Sequence, residues 1–209
     1  MIIAVDGPAA SGKGTLARRL ARHFGLNHLD TGSLYRAVAF RALAAGADPA
    51  DPDAAVAAAR QVTPRDLDDQ RLRDEKVAQT ASVVAAIPGV RAVLLAFQRE
   101  FARRGKGAVL DGRDIGTVVC PDADVKLFLT ATVEARALRR FKELQAEGGT
   151  AIYERVLQDM KLRDARDRER RTAPLHRASD AFELDTTALD ADAAFAAALR
   201  FIGETKPRR

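Results

Sequence analysis

The chain has 209 residues, 47% of them hydrophobic, 30% charged and 5% aromatic, with a formal net charge of +5. That is enough for one substantial core, with no apolar run near the ~20 residues of a membrane span. A single cysteine, Cys120, excludes an internal disulfide and a thiolate zinc site, and the N-terminus lacks the pattern of a signal peptide, so a cytoplasmic location is expected.

In chain order, the apolar run Ile2-Ile3-Ala4-Val5 predicts a strand, and Leu16-Ala17-Arg18-Arg19-Leu20-Ala21 lies in a predicted helix over 13–24. Between them stands Gly7-Pro8-Ala9-Ala10-Ser11-Gly12-Lys13-Gly14-Thr15. A glycine-rich turn from strand to helix converges backbone N–H groups on phosphate oxygens, and Lys13 sits where a P-loop lysine reaches the outer phosphates of a nucleoside triphosphate. Gly14 fills the slot where most P-loops place a magnesium-binding hydroxyl, and Thr15 carries the hydroxyl one residue later. Lys-Gly-Thr resembles the nucleoside monophosphate kinases and argues against switch GTPases and motor ATPases.

A weaker strand over 26–29 leads into Asp30-Thr31-Gly32-Ser33-Leu34-Tyr35-Arg36 and a helix over 33–45, which Asp30 or Thr31 would cap. Arg36 lies one turn into it, near the carboxyl end of a strand, where α/β folds place ligands. Residues 47–52 read as a turn region. Helices follow over 53–61, 75–86 and 90–103, with Pro88-Gly89 separating the last two. The next strand, 108–110, ends in Asp111-Gly112-Arg113-Asp114. Apolar residues ending in an acid resemble a Walker B strand, with Asp111 orienting magnesium through water. Strands over 125–129 and 181–184 and helices over 133–147, 151–171 and 191–203 complete a βα alternation, with 206–209 as a frayed tail. Gly148-Gly149 is a candidate hinge. In the charged run after it, Arg163, Asp167 and Arg170 share a helical face, and Arg166 and Arg170 align one turn apart. His23, His28 and His176 show no metal-ligand spacing and read as structural or exposed.

Together these residues resemble the bacterial cytidylate kinases over nearly the whole chain. The match rests on the first loop, on Asp30-Thr31-Gly32 with Tyr35-Arg36, on Asp111 to Val119 with Pro121-Asp122-Ala123, and on the Arg163 to Arg168 run. The Gly116-Thr117-Val118-Val119 ending separates them from adenylate kinases, whose loop continues Gly-Phe-Pro-Arg. The resemblance implies a P-loop kinase: a central five-stranded parallel sheet flanked by helices, with a helical lid over 148–180 and a substrate-binding segment over 47–87. It implies ATP and Mg²⁺, with CMP and dCMP as acceptors, in a monomer that binds neither nucleic acid nor membrane. Gly7 to Thr15 would hold the ATP phosphates. Arg36, Arg113 and Arg170 would bind the acceptor phosphate or the transferring group, and Lys13, Arg113, Arg166 and Arg170 would be catalytic. Ser82, Arg91 and Asp114 would recognise cytosine, Asp167 with Arg163 the ribose, and Thr31 and Tyr35 would complete the acceptor site. Metal contacts would come from Asp111 through water and weakly from Thr15.

One departure stands out. Relatives often carry a substrate-side insertion with a small β-sheet, and residues 62–72 are too few to form it. Kinases of UMP, AMP or a small alcohol, and an ATP-binding regulatory or nucleic-acid-binding protein, are the competing readings.

Overall fold

The structure is a computed structural model that describes residues 1–204; the tail at 206–209 lies outside them. Five strands, β1 (Ile2–Asp6), β2 (Asn27–Asp30), β3 (Ala108–Gly112), β4 (Val125–Thr130) and β5 (Phe182–Asp185), form one parallel sheet in the order β2-β3-β1-β4-β5. Helices cover both faces, which is why β1 and β3 are buried almost end to end and read as continuous apolar runs. One layer packs α2 (Thr31–Ala44), α3 (Pro52–Arg60), α4 (Glu75–Val84) and α5 (Pro88–Ala102) around Leu34, Val38, Val84 and Leu94. The other packs α1 (Lys13–Phe24) and α8 (Ala191–Glu204) against Ile3, Leu20, Leu127 and Leu129.

The register sets the site. Asp6 pairs with Gly112 across β1 and β3, and Asp30 with Asp111 across β2 and β3. The loops leaving these three strands therefore open side by side at the carboxyl edge, where the strand order reverses.

Beyond the sheet, α6 (Val133–Ala146) and α7 (Tyr153–Glu169) form an arm joined by a turn at Gly148, with φ 81°. Its apolar core is small, centred on Ala137, Val156 and Met160. A buried ion pair fixes the crossing: Arg136 Nη1 and Nη2 meet the Asp164 carboxylate at 3.1 and 2.6 Å. The helix expected to run through 171 stops at Glu169, because the chain folds back and Leu175 N donates to Asp167 O at 2.7 Å. Arg170 is thus the C-cap residue, its N still donating to Arg166 O at 3.1 Å, and the chain leaves the helical path only after it.

Residues 62–73 contain no strand. Two tight 3₁₀ turns, Pro64–Asp68 and Gln70–Arg73, fill the segment, held by Arg41 on Asp66 at 2.8 Å and by Arg71 over the Phe40 ring. Pro88 opens α5 at its first turn, where a missing N–H costs nothing. No single helix among the described residues is long and apolar enough to cross a membrane; α4 and α5 would suffice only together, and they are bent by 100°.

Candidate active site

The loop between β1 and α1 begins under steric constraint. A Cβ on Gly7, whose φ is +152°, would stand 2.4 Å from Leu129 O, so only glycine lets the chain pass against β4. Helix α1 starts without a side-chain cap and without an acidic residue in its first turn. Its first N–H groups are left for an external anion, at the positive end of the helix dipole. Ala9, Ala10, Gly12, Lys13, Gly14 and Thr15 line the cleft that results. Gly7, Pro8 and Ser11 do not line it; they shape the loop, with Pro8 O accepting from Lys13 Nζ at 3.1 Å. Burial and then the neighbouring Arg113 lower the Lys13 ammonium to about 7, against the pull of Asp111 and Asp30.

Asp111 ends the apolar part of β3, buried below the loop. Its Oδ1 lies 2.8 Å from His28 Nε2, a partner that sequence spacing did not reveal. Its Oδ2 faces Gly14, 3.6 Å from the point a Cβ would occupy. After Gly112 the chain enters a wide π-type turn, Ile115–Val119, where a helix was not expected. Asp6 builds it, accepting from Ile115 N at 2.8 Å and Gly116 N at 2.7 Å. Burial pushes the Asp6 carboxyl up to about 7 against those two bonds.

Across the cleft the arginines sit on carboxylates. Arg36 Nη2 donates to Asp30 Oδ2 at 2.6 Å, Arg113 Nε to Asp167 Oδ2 at 2.7 Å, and Arg170 Nη2 to Asp114 Oδ1 at 3.3 Å. Asp30 therefore spends its side chain on Arg36 and caps nothing, while Thr31 Oγ1 donates to Asp111 O. Burial alone would raise Asp167, but Arg113 and Arg163 hold it below the usual carboxylate range. Burial and then Arg113 lower Arg163 to about 10, and its buried Nε has no hydrogen-bond partner. Ser82 Oγ is likewise buried without a partner and lines the cleft, as Tyr35 does.

Two expected contributors lie elsewhere. Arg91 is behind the cleft wall, donating to Asp114 and lying 5.6 Å over the Tyr35 ring. Arg166, placed among the catalytic residues by its alignment with Arg170, does not line the cleft and donates to Gln79 Oε1 on α4 at 3.1 Å. The two arginines part because Arg166 meets Gln79 and Arg170 meets Asp114. The structure thus brings Lys13, Thr15, Thr31, Tyr35, Arg36, Ser82, Asp111, Arg113, Asp114, Arg163, Asp167 and Arg170 to one cleft of about 830 Å³. Arg18, Arg140 and Arg155 also line it and carry no motif that would single them out.

A P-loop on a parallel sheet, a strand-end carboxylate below it and an arginine cluster opposite define a P-loop phosphotransferase with a phosphate-bearing acceptor. A family model described as cytidylate kinase matches residues 3–203. The cytidylate kinase of Paramagnetospirillum magneticum is 62% identical over 208 residues, covering 98% of this chain and 99% of its own. That of Methylocella silvestris is 61% identical, covering 95% and 92%. A solved structure from Eubacterium ventriosum, titled only as an uncharacterized protein, shares the fold with a TM-score of 0.55 at 14% identity over 98% of both chains. The chain belongs to the cytidylate kinase family, and its reaction is the phosphorylation of CMP and dCMP by ATP.

Proposed function

We propose that the transfer runs in line from ATP on the P-loop to the acceptor phosphate held by Arg36, Arg113 and Arg170. The observation that carries this reading is one cleft lined by Lys13 and Asp111 together with Arg36, Arg113 and Arg170. A CMP phosphate is already largely dianionic near neutral pH, so the reaction needs alignment and charge neutralisation more than a general base. Lys13 and Arg113 supply cationic donors to the equatorial oxygens. Asp167 with Arg163 faces the sugar, and Ser82 and Asp114 face the base, with Arg91 fixing Asp114 from behind.

Among the described residues no group of three or more acidic, His or Cys side chains could hold a metal alone. That fits Mg²⁺, which keeps several waters and uses one or two carboxylates plus substrate phosphates. Asp111 Oδ2 would hold it through water, with the Thr15 hydroxyl near the same end, and the ion would neutralise charge on the phosphates. Asp111→Asn is expected to raise the Mg²⁺ concentration for half-maximal rate by about tenfold. A magnesium titration at fixed ATP reads it, and an unchanged midpoint removes Asp111 from the role.

The α6–α7 arm supports a lid that closes over both substrates and excludes water from the γ-phosphate. One chain furnishes the whole cleft, which supports a monomer. Nucleotide substrates and a free Cys120 are consistent with a cytoplasmic enzyme. The deciding experiment is ADP release from Mg·ATP with CMP, dCMP, UMP, AMP and GMP. Preference for CMP and dCMP is the expected outcome, and it would show that a 62–73 segment without strands suffices for choosing cytosine. Equal rates with UMP would move base selection away from Ser82 and Asp114.

A further inference from the structure

Three side chains outside the cleft grip the outer face of the P-loop. Arg136 Nη1 donates to Ala9 O at 3.3 Å, Arg139 Nη1 to Ala10 O at 3.5 Å, and Thr186 Oγ1 to Ser11 O at 2.9 Å. Three consecutive carbonyls are thereby held from one side. A trans peptide is planar, so a carbonyl and the N–H of the next residue point in opposite directions. No peptide among the described residues is cis. Fixing the carbonyls of Ala9, Ala10 and Ser11 from outside the cleft therefore turns the N–H groups that follow them the other way, and of these residues Ala10 and Gly12 line the cleft. The loop needs such support, because Ala10 is held at φ 56°, a left-handed conformation in which its Cβ crowds the following carbonyl.

The grips are themselves fixed. Thr186 is buried just after β5, its N donating to Thr130 O at 2.8 Å and its Oγ1 accepting from Arg139 Nη1 at 3.2 Å. Arg139 Nη2 donates to Thr186 O. Arg136 is almost fully buried on Asp164 and also donates through Nε to Ala131 O at 3.0 Å. None of the three lines the cleft. A buried guanidinium is a poor choice for stability alone, since an apolar pair of similar volume often does as well.

We infer that Arg136, Arg139 and Thr186 are positioning residues that aim the P-loop N–H groups at the phosphates of ATP. The inference rests on the reading of this loop as the ATP phosphate site. Asp164 takes part through Arg136, tying α7, the helix that carries Arg163 and Asp167, to the same bracket.

The test measures ATP and CMP binding separately by calorimetry in wild type, Thr186→Val, Thr186→Ser, Arg139→Met and Lys13→Ala, with thermal stability in parallel. Thr186→Val keeps the shape and removes the hydroxyl; Arg139→Met acts from a partly exposed position and covers the case in which the first variant does not fold. Both are expected to weaken ATP about tenfold and leave CMP within about twofold, with Thr186→Ser restoring ATP affinity. Unchanged ATP affinity, or equal weakening of ATP and CMP, overturns the proposal. Lys13→Ala separates the two levels: if it binds ATP like wild type, the loop assignment itself falls, whereas loss of ATP there with none in the other variants rejects only the positioning role.

Discussion

Arg113→Ala is expected to lower kcat by about a thousandfold, the size of effect that a guanidinium on a transferring phosphoryl group commands. Arg113 is the cation between the two ends of the cleft: it neighbours Lys13 electrostatically and pairs with Asp167 at 2.7 Å. Its loss removes charge where the equatorial oxygens gather it. The fold survives, because Asp167 keeps the nearby charges of Arg163 and Arg170 and the cleft admits water. Arg113→Lys recovers little, since a point charge cannot reproduce a planar fork of donors. Steady-state ADP release with unfolding curves on the same samples checks both halves. Near-normal turnover in Arg113→Ala would remove it from the catalytic role.

Lys13→Ala is expected to have an effect of similar or greater size, with a proton signature. Without nucleotide phosphates beside it, burial lowers the Lys13 ammonium to about 7. Triphosphate oxygens favour the charged form, so the bound value is higher than the free one. Affinity from this lysine is then full below pH 7 and is lost as pH rises from 7 toward the bound value. ATP binding at about pH 8, above the free value, should take up close to one proton in the wild-type protein and distinctly less in Lys13→Ala. Calorimetry in buffers of different ionisation enthalpy counts those protons. Equal uptake by the two proteins would mean that another group titrates.

The strands, the P-loop and most helix positions were legible because each is written locally, as an apolar run, a glycine turn or a 3.6-residue period. The hidden features depend on partners distant in sequence. Nothing near His28 announces Asp111, which is 83 residues away. The π-type turn after β3 exists because Asp6 captures two of its N–H groups. Helix α7 ends at Glu169 with no glycine or proline there to mark the stop; the return of Leu175 to Asp167 O ends it, and Arg166 and Arg170 part to Gln79 and Asp114. The arginine clusters misled for the same reason. Which basic side chains face the nucleotide and which brace the scaffold is decided by the carboxylate or carbonyl each one meets.

The pairs of Arg36 with Asp30, Arg113 with Asp167 and Arg170 with Asp114 make the proposed acceptor end resemble an ion exchanger in its salt form. On the reading proposed above, an arriving phosphate would displace carboxylates from guanidinium groups instead of meeting bare cations. Stray inorganic anions gain little from entering, because the carboxylates they evict are left without donors. A nucleotide carries hydroxyl and amino groups that can satisfy those carboxylates in turn. The same exchange run backwards would let the carboxylates help expel the product, keeping the acceptor end from becoming a trap for the diphosphate it has just made.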